Sequence, residues 1–256
     1  MIIYASISLL ALIILLVGEK VLPNDTKKVY EEKGYNWNNV ICYSSVSSFL
    51  LGIISSYLVI LFKVPGELNP FFIPFATVIT AYITVQSIMT DTRTLLINRY
   101  ILRVAYLSMY IVSAYNVLTN PYFKMNRTAL IIFTLVLIFI FLFSSIGASD
   151  VRAIAVALPY SISIGGYLAI QMLVITLLAV SLFMIIKRRI EVNKEIINFK
   201  EKFPKMYDEM GEKQFKRAAR KTIKHEFDND EEHAVPVGPY MIVPFLAFLL
   251  AYPILL

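Results

Sequence analysis

Along the chain, long apolar runs alternate with short polar segments. Windows of about 20 apolar residues, the length a helix needs to cross a hydrocarbon core of about 30 Å, fall at 2–17, 39–62, 70–90, 100–118, 128–146, 162–186 and 236–256. An eighth, shorter candidate at 147–161 is apolar from Ala153 to Leu158 and closes at Pro159. The pattern predicts an all-α, polytopic membrane bundle of eight spans, one of them short. The opening run MIIYASISLLALIILLV reads as the first span and not as a secretory signal. It has no charged leading segment and runs into Gly18-Glu19-Lys20 where a cleavage site would need small residues.

Charge decides whether the short element crosses, because cytoplasmic loops collect Lys and Arg. With eight crossings and the N-terminus outside, the inner segments hold Lys20, Lys27, Lys28 and Lys33, then Arg93, Arg99 and Arg103, then Arg152, then every basic residue of the stretch 187–224. Only Lys63, Lys124 and Arg127 remain outside. Without the short crossing, the basic cluster after 187 would face the opposite side from Arg93, Arg99 and Arg103, so the crossing is expected. Composition agrees: 58% of residues are hydrophobic and 16% charged, against about 25% charged in soluble domains. The net charge of +6 follows from the inner loops and does not call for nucleic acid. The stretch 187–233 reads as a charged, helical cytosolic loop of the kind that lies against anionic headgroups, ending in the acidic run EFDNDEE.

Other chemistry is sparse. The single cysteine, Cys42, excludes a disulfide framework or a Cys-rich zinc site and reads as a core residue. His225 and His233 lie in the charged loop with no ligands at metal spacing, so neither a metal nor a cofactor is expected. Asn126-Arg127-Thr128 matches a glycosylation sequon in an outer loop. The Gly165-Gly166 pair reads as a close-packing point inside the seventh span, and aromatics such as Trp37 and Tyr100 as interfacial anchors and core.

Sorting the acids by segment leaves two at membrane depth: Asp91 at the end of the third span and Asp150 at the start of the short one. Buried ionisable groups are expensive in a membrane and usually do work there. Two carboxyls at one depth can share a proton, one acting as acid and the other as base on the same water. Each could instead cap a helix end, Asp150 beside Arg152 complementing a helix dipole, and depth and charge alone leave both readings open. Gly147, three residues ahead of Asp150, lacks a Cβ and would let an extended peptide approach.

Three motifs in order then bring in a family. GASDVRAIAVALP, residues 147–159, resembles the G-x-G-D motif of type IV prepilin peptidases. DTRTLLI, from Asp91 through Arg93 to Ile97, is similar to that family's first aspartate motif, and VPVGPYM, residues 235–241, resembles the start of its last helix. Ser149 stands where Gly or a hydrophobic residue is usual, and Asn98-Arg99 where Pro-Asn commonly follows. The chain lacks the cysteine-bearing cytosolic domain of the methylating members and is most similar to the archaeal preflagellin and prepilin peptidases. The resemblance covers 70–256 and implies a six-span protease core there, with residues 1–69 supplying two additional spans. It implies an aspartic endopeptidase of the plasma membrane that removes the short basic leader from pilin or archaellin precursors at the cytoplasmic face. Asp91 and Asp150 would be catalytic, and Gly147 and Ser149 would contact substrate. A presenilin-like protease fits less well, because Thr90 stands where its motif has Tyr. A transporter relaying protons through the paired acids would call for an internal repeat, and none is seen in the sequence.

Overall fold

A computed structural model of the chain describes residues 1–94, 98–143, 148–229 and 238–255. Every extended element among them is a helix: α1 (Ile2–Val21), α2 (Asp25–Glu32), α3 (Trp37–Leu61), α4 (Phe72–Thr94), α5 (Arg99–Thr119), α6 (Asn126–Phe143), α7 (Ala148–Gly165), α8 (Tyr167–Lys202), α9 (Pro204–Asn229) and α10 (Gly238–Leu255). They form two compact units, residues 1–176 with 236–256, and residues 177–235. Five described helices, α1, α3, α4, α5 and α8, are long and apolar enough to cross a membrane. Shorter apolar stretches occupy α6, α7 and α10.

Burial in the larger unit is arranged for a lipid solvent. Along the middle of α3, from Ser44 to Ser56, the buried positions are small, Ser44, Ser48, Gly52, Ser55 and Ser56, while Tyr43, Val46, Leu50, Ile54 and Tyr57 are exposed. Lipid tails solvate large apolar side chains as well as a protein core does, so helix association relies on close backbone approach at small residues. Gly52 provides it: a Cβ there would stand 2.5 Å from Val78 Cγ2 and 2.9 Å from Ser8 Oγ, where α1, α3 and α4 meet. The two N-terminal membrane helices therefore pack directly on α4. Cys42, expected in the core, lies on the exposed side of α3, where a small polarisable side chain meets lipid at little cost.

Two helices are buried almost all round, the mark of a helix at the centre of a bundle. In α4, 78% of the apolar window is buried, against 28% in α1 and 33% in α3. In α7, every residue from Ala155 to Ile164 is buried. Around them stand α1, α3, α5, α6 and α10.

Hydrogen bonds fix which helix ends lie together. At one end, Asn69 Nδ2 donates to Asn116 Oδ1 (3.0 Å), Asn116 Nδ2 to Ser163 Oγ (3.4 Å) and Asn126 Nδ2 to the Ser163 carbonyl (2.9 Å). This end gathers the start of α4, the finish of α5, the start of α6 and the finish of α7. Tyr122 closes it, its hydroxyl donating to Glu67 Oε2 at 2.7 Å, and that bond pushes the Tyr122 pKa up. Asn126 is thus a clamp between α6 and α7, with its amide nitrogen engaged where the sequon reading would attach a sugar. The opposite end gathers the finish of α1 and α4 with the starts of α3, α5 and α7.

The short element differs from its expected bounds. Pro159 does not end it. The helix runs on to Gly165 and stops at Gly166, whose φ of +55° is left-handed and whose N–H donates to the Ile162 carbonyl at 2.8 Å. A proline inside a membrane helix is tolerated where neighbouring helices surround it, and here Pro159 is buried. The glycine pair therefore separates α7 from α8 instead of lying within one span.

In the smaller unit, Ile196, Phe215, Ala219 and Ile223 form a compact core with Val192, Phe199 and Tyr207 against it, joining α8 to α9. Helix α9 breaks at Gly211, which takes φ +73° and ψ 157°.

Candidate functional site

The two aspartates predicted to act together sit on the two central helices. Asp91 is in the last turn of α4 and Asp150 in the first turn of α7. These helices pack on one another, and both aspartate positions lie toward the end of the bundle that holds Asn98 and the finish of α1. The side chains of Asp91, Asp150 and Ser149, and the whole of Gly147, lie outside the described residues.

Helix geometry places position 91 on a definite face of α4. Thr77, whose hydroxyl donates to Ser55 Oγ at 3.2 Å, and Val78, against Gly52, mark the side facing α3. Gln86, which donates to Glu19, marks the side facing α1. Thr80, Thr84, Ser87 and position 91, at spacings of four, three and four, share the remaining face. The other helices packed on α4 are α2, α5, α7 and α10. The described members of that face are buried: Thr80 and Ser87 are 0% exposed and Thr84 3%.

That interior is polar and not fully satisfied. Thr77, Thr84 and Thr90 donate to the carbonyl four residues back, but the hydroxyls of Thr80 and Ser87, those of Tyr82 and Tyr160, and Gln86 Oε1 have no hydrogen-bond partner among the described residues. A buried polar atom without a partner costs about 1–3 kcal/mol, and such atoms concentrate where water or a reacting group belongs.

The structure adds an acid that sequence reasoning places in the loop after the first span. Glu19 lies in the last turn of α1, half-buried. Its carboxylate accepts from Asn24 Nδ2 (3.0 Å), from Asn98 Nδ2 (3.4 Å) and from Gln86 Nε2. Asn24 and Asn98 are also helix caps: their Oδ1 atoms accept from Lys27 N (2.9 Å) and Tyr100 N (3.1 Å) at the starts of α2 and α5. With each oxygen committed to a cap, each amide nitrogen must turn toward Glu19, and the positive ends of two helix dipoles converge on one carboxylate. Glu19 thereby ties α1 to α2, α4 and α5 at the end where both aspartates lie. A glutamine in an apolar run, Gln86, is the signal that could have found it.

Glu19→Gln is expected to lower stability by about 1–3 kcal/mol, because one of its two terminal groups would face donors with a donor. Thermal melting in detergent reads this, and an unchanged midpoint would refute the arrangement.

Nearby, Arg99 pairs with Asp25 at 2.7 Å and stacks on Tyr100 with Arg103. Among the described residues, no cluster of three His, Cys, Asp or Glu is arranged to hold a metal ion. In comparisons with known proteins, no family model, no curated protein and no solved structure matches the chain.

Proposed function

We propose that the protein is a membrane-embedded aspartic endopeptidase that removes short basic leaders from pilin-like or archaellin precursors at the cytoplasmic face. The observation that carries this reading is that Asp91 and Asp150, 59 residues apart in sequence, sit at the same end of the two central helices, which pack together. In this reading α6, α7 and α10 also cross, making eight spans. The end bearing Lys20, Lys27, Lys28, Lys33, Arg99 and Arg103 is cytoplasmic by the bias of basic residues. The motif resemblance to the prepilin peptidases supplies the substrate class.

Chemically, one carboxylate removes a proton from water, whose oxygen adds to the scissile carbonyl. The protonated partner gives its proton to the departing amide nitrogen, and the C–N bond breaks to leave a carboxyl and an amine. Asp91 and Asp150 act here as one coupled pair that titrates as a unit, so the roles of base and proton holder belong to the pair. The substrate's own apolar helix can pack among the spans and carry the scissile bond to their level.

The test is co-expression with a precursor bearing a short basic leader. The wild type should give a leader-sized shift on a gel, absent when both aspartates are replaced by Asn. A shift that persists in that double variant would refute the reading.

A further inference from the structure

We infer that Ser87 holds the hydrolytic water beside Asp91, a role that rests on the peptidase reading. Ser87 lies one helical turn before Asp91 on the same face of α4, a spacing that brings Cβ atoms to about 5–6 Å, the gap one bridging water fills. Ser87 is 0% exposed, and its hydroxyl has no hydrogen-bond partner among the described residues. The lack is not an accident of the helix, because the neighbouring hydroxyls of Thr84 and Thr90 are satisfied by carbonyls of their own helix at 2.7 and 2.9 Å. Thr80, further back on the same face, is also without a partner among the described residues. The two together make a buried polar strip that leads along α4 toward position 91. A buried hydroxyl of this kind takes an ordered water, and a water held there is one helical turn from position 91.

The role has a signature that packing alone lacks. Ser87→Ala removes a hydroxyl that bonds no protein group among the described residues, so the melting temperature in detergent should change little. Leader cleavage should fall about ten- to a hundredfold, the worth of a hydrogen bond to a group that becomes charged. The loss should appear in kcat with KM unchanged, and Ser87→Thr, which keeps the hydroxyl, should restore most of it. The full-length protein and a purified leader-bearing precursor are used throughout, with Asp91→Asn run alongside. Unchanged cleavage in Ser87→Ala, a loss accompanied by a lower melting temperature, or a loss that Thr does not restore would each overturn the water-holding role while leaving the peptidase reading intact. Cleavage indifferent to Asp91→Asn would overturn both.

Discussion

Replacing either Asp91 or Asp150 by Asn is expected to reduce leader cleavage by at least about a thousandfold, with no loss of folded protein. A hydrolysis of this type needs one carboxyl to take a proton while another gives one, and each such group contributes about 10²–10⁴-fold. One residual carboxyl cannot serve both ends of the same step, so each single variant should fall nearly as far as the double. The substitution preserves size and removes an ionisable group from membrane depth, where ionisable groups carry a cost. Melting in detergent should therefore stay level or improve while activity disappears. A single variant retaining a tenth of wild-type cleavage would show that the two carboxyls do not work as a pair.

Enlarging Gly52 should have the largest effect on the fold. The Cβ that Gly52→Ala introduces would meet Val78 Cγ2 at 2.5 Å and Ser8 Oγ at 2.9 Å. Neither neighbour moves cheaply. Val78 is 0% exposed and β-branched, and Ser8, also 0% exposed, is held by its bond to the Tyr4 carbonyl at 3.1 Å. Overpacking of a close interface costs about 1–3 kcal/mol, occasionally more, so Gly52→Ala should lie in that range and Gly52→Leu at or beyond its upper end, with α1 and α3 forced off α4. The readout is the melting midpoint in detergent together with protease sensitivity of the loop after α1. A Leu variant as stable as wild type would mean that α1, α3 and α4 do not meet at Gly52. Because α4 carries Asp91 in its last turn, the same change should also depress cleavage, but in step with the loss of folded protein, unlike the aspartate and Ser87 variants.

Much of the helical layout is legible in the order of the residues. The apolar windows at 2–17, 39–62, 70–90 and 100–118 correspond to α1, α3, α4 and α5, because in a membrane the length of an apolar run is set by bilayer thickness. The last window corresponds to α10. Where the sequence misleads, the missing information is spatial. Pro159 reads as a stop in isolation, yet it lies inside α7, and the stop is the left-handed Gly166 seven residues on. Glu19 reads as part of the polar segment 18–38 because its partners Asn24, Gln86 and Asn98 come from three other elements, the last 79 residues away. Cys42 reads as core by habit of its type, but faces outward on α3.

By itself the sequence determined that the chain is helical and apolar enough to lie in a membrane, where its basic residues collect, and that Asp91 and Asp150 fall at the edges of apolar runs. Only the tertiary structure decided that α4 and α7 are the central pair, that Thr80, Thr84 and Ser87 on α4 are buried, and that Glu19 joins the bundle. The reason is that lipid and protein interior are equally apolar. A hydrophobic side chain carries no mark of which of the two surrounds it, so burial is settled by where small residues let backbones approach and where polar groups from distant segments find each other.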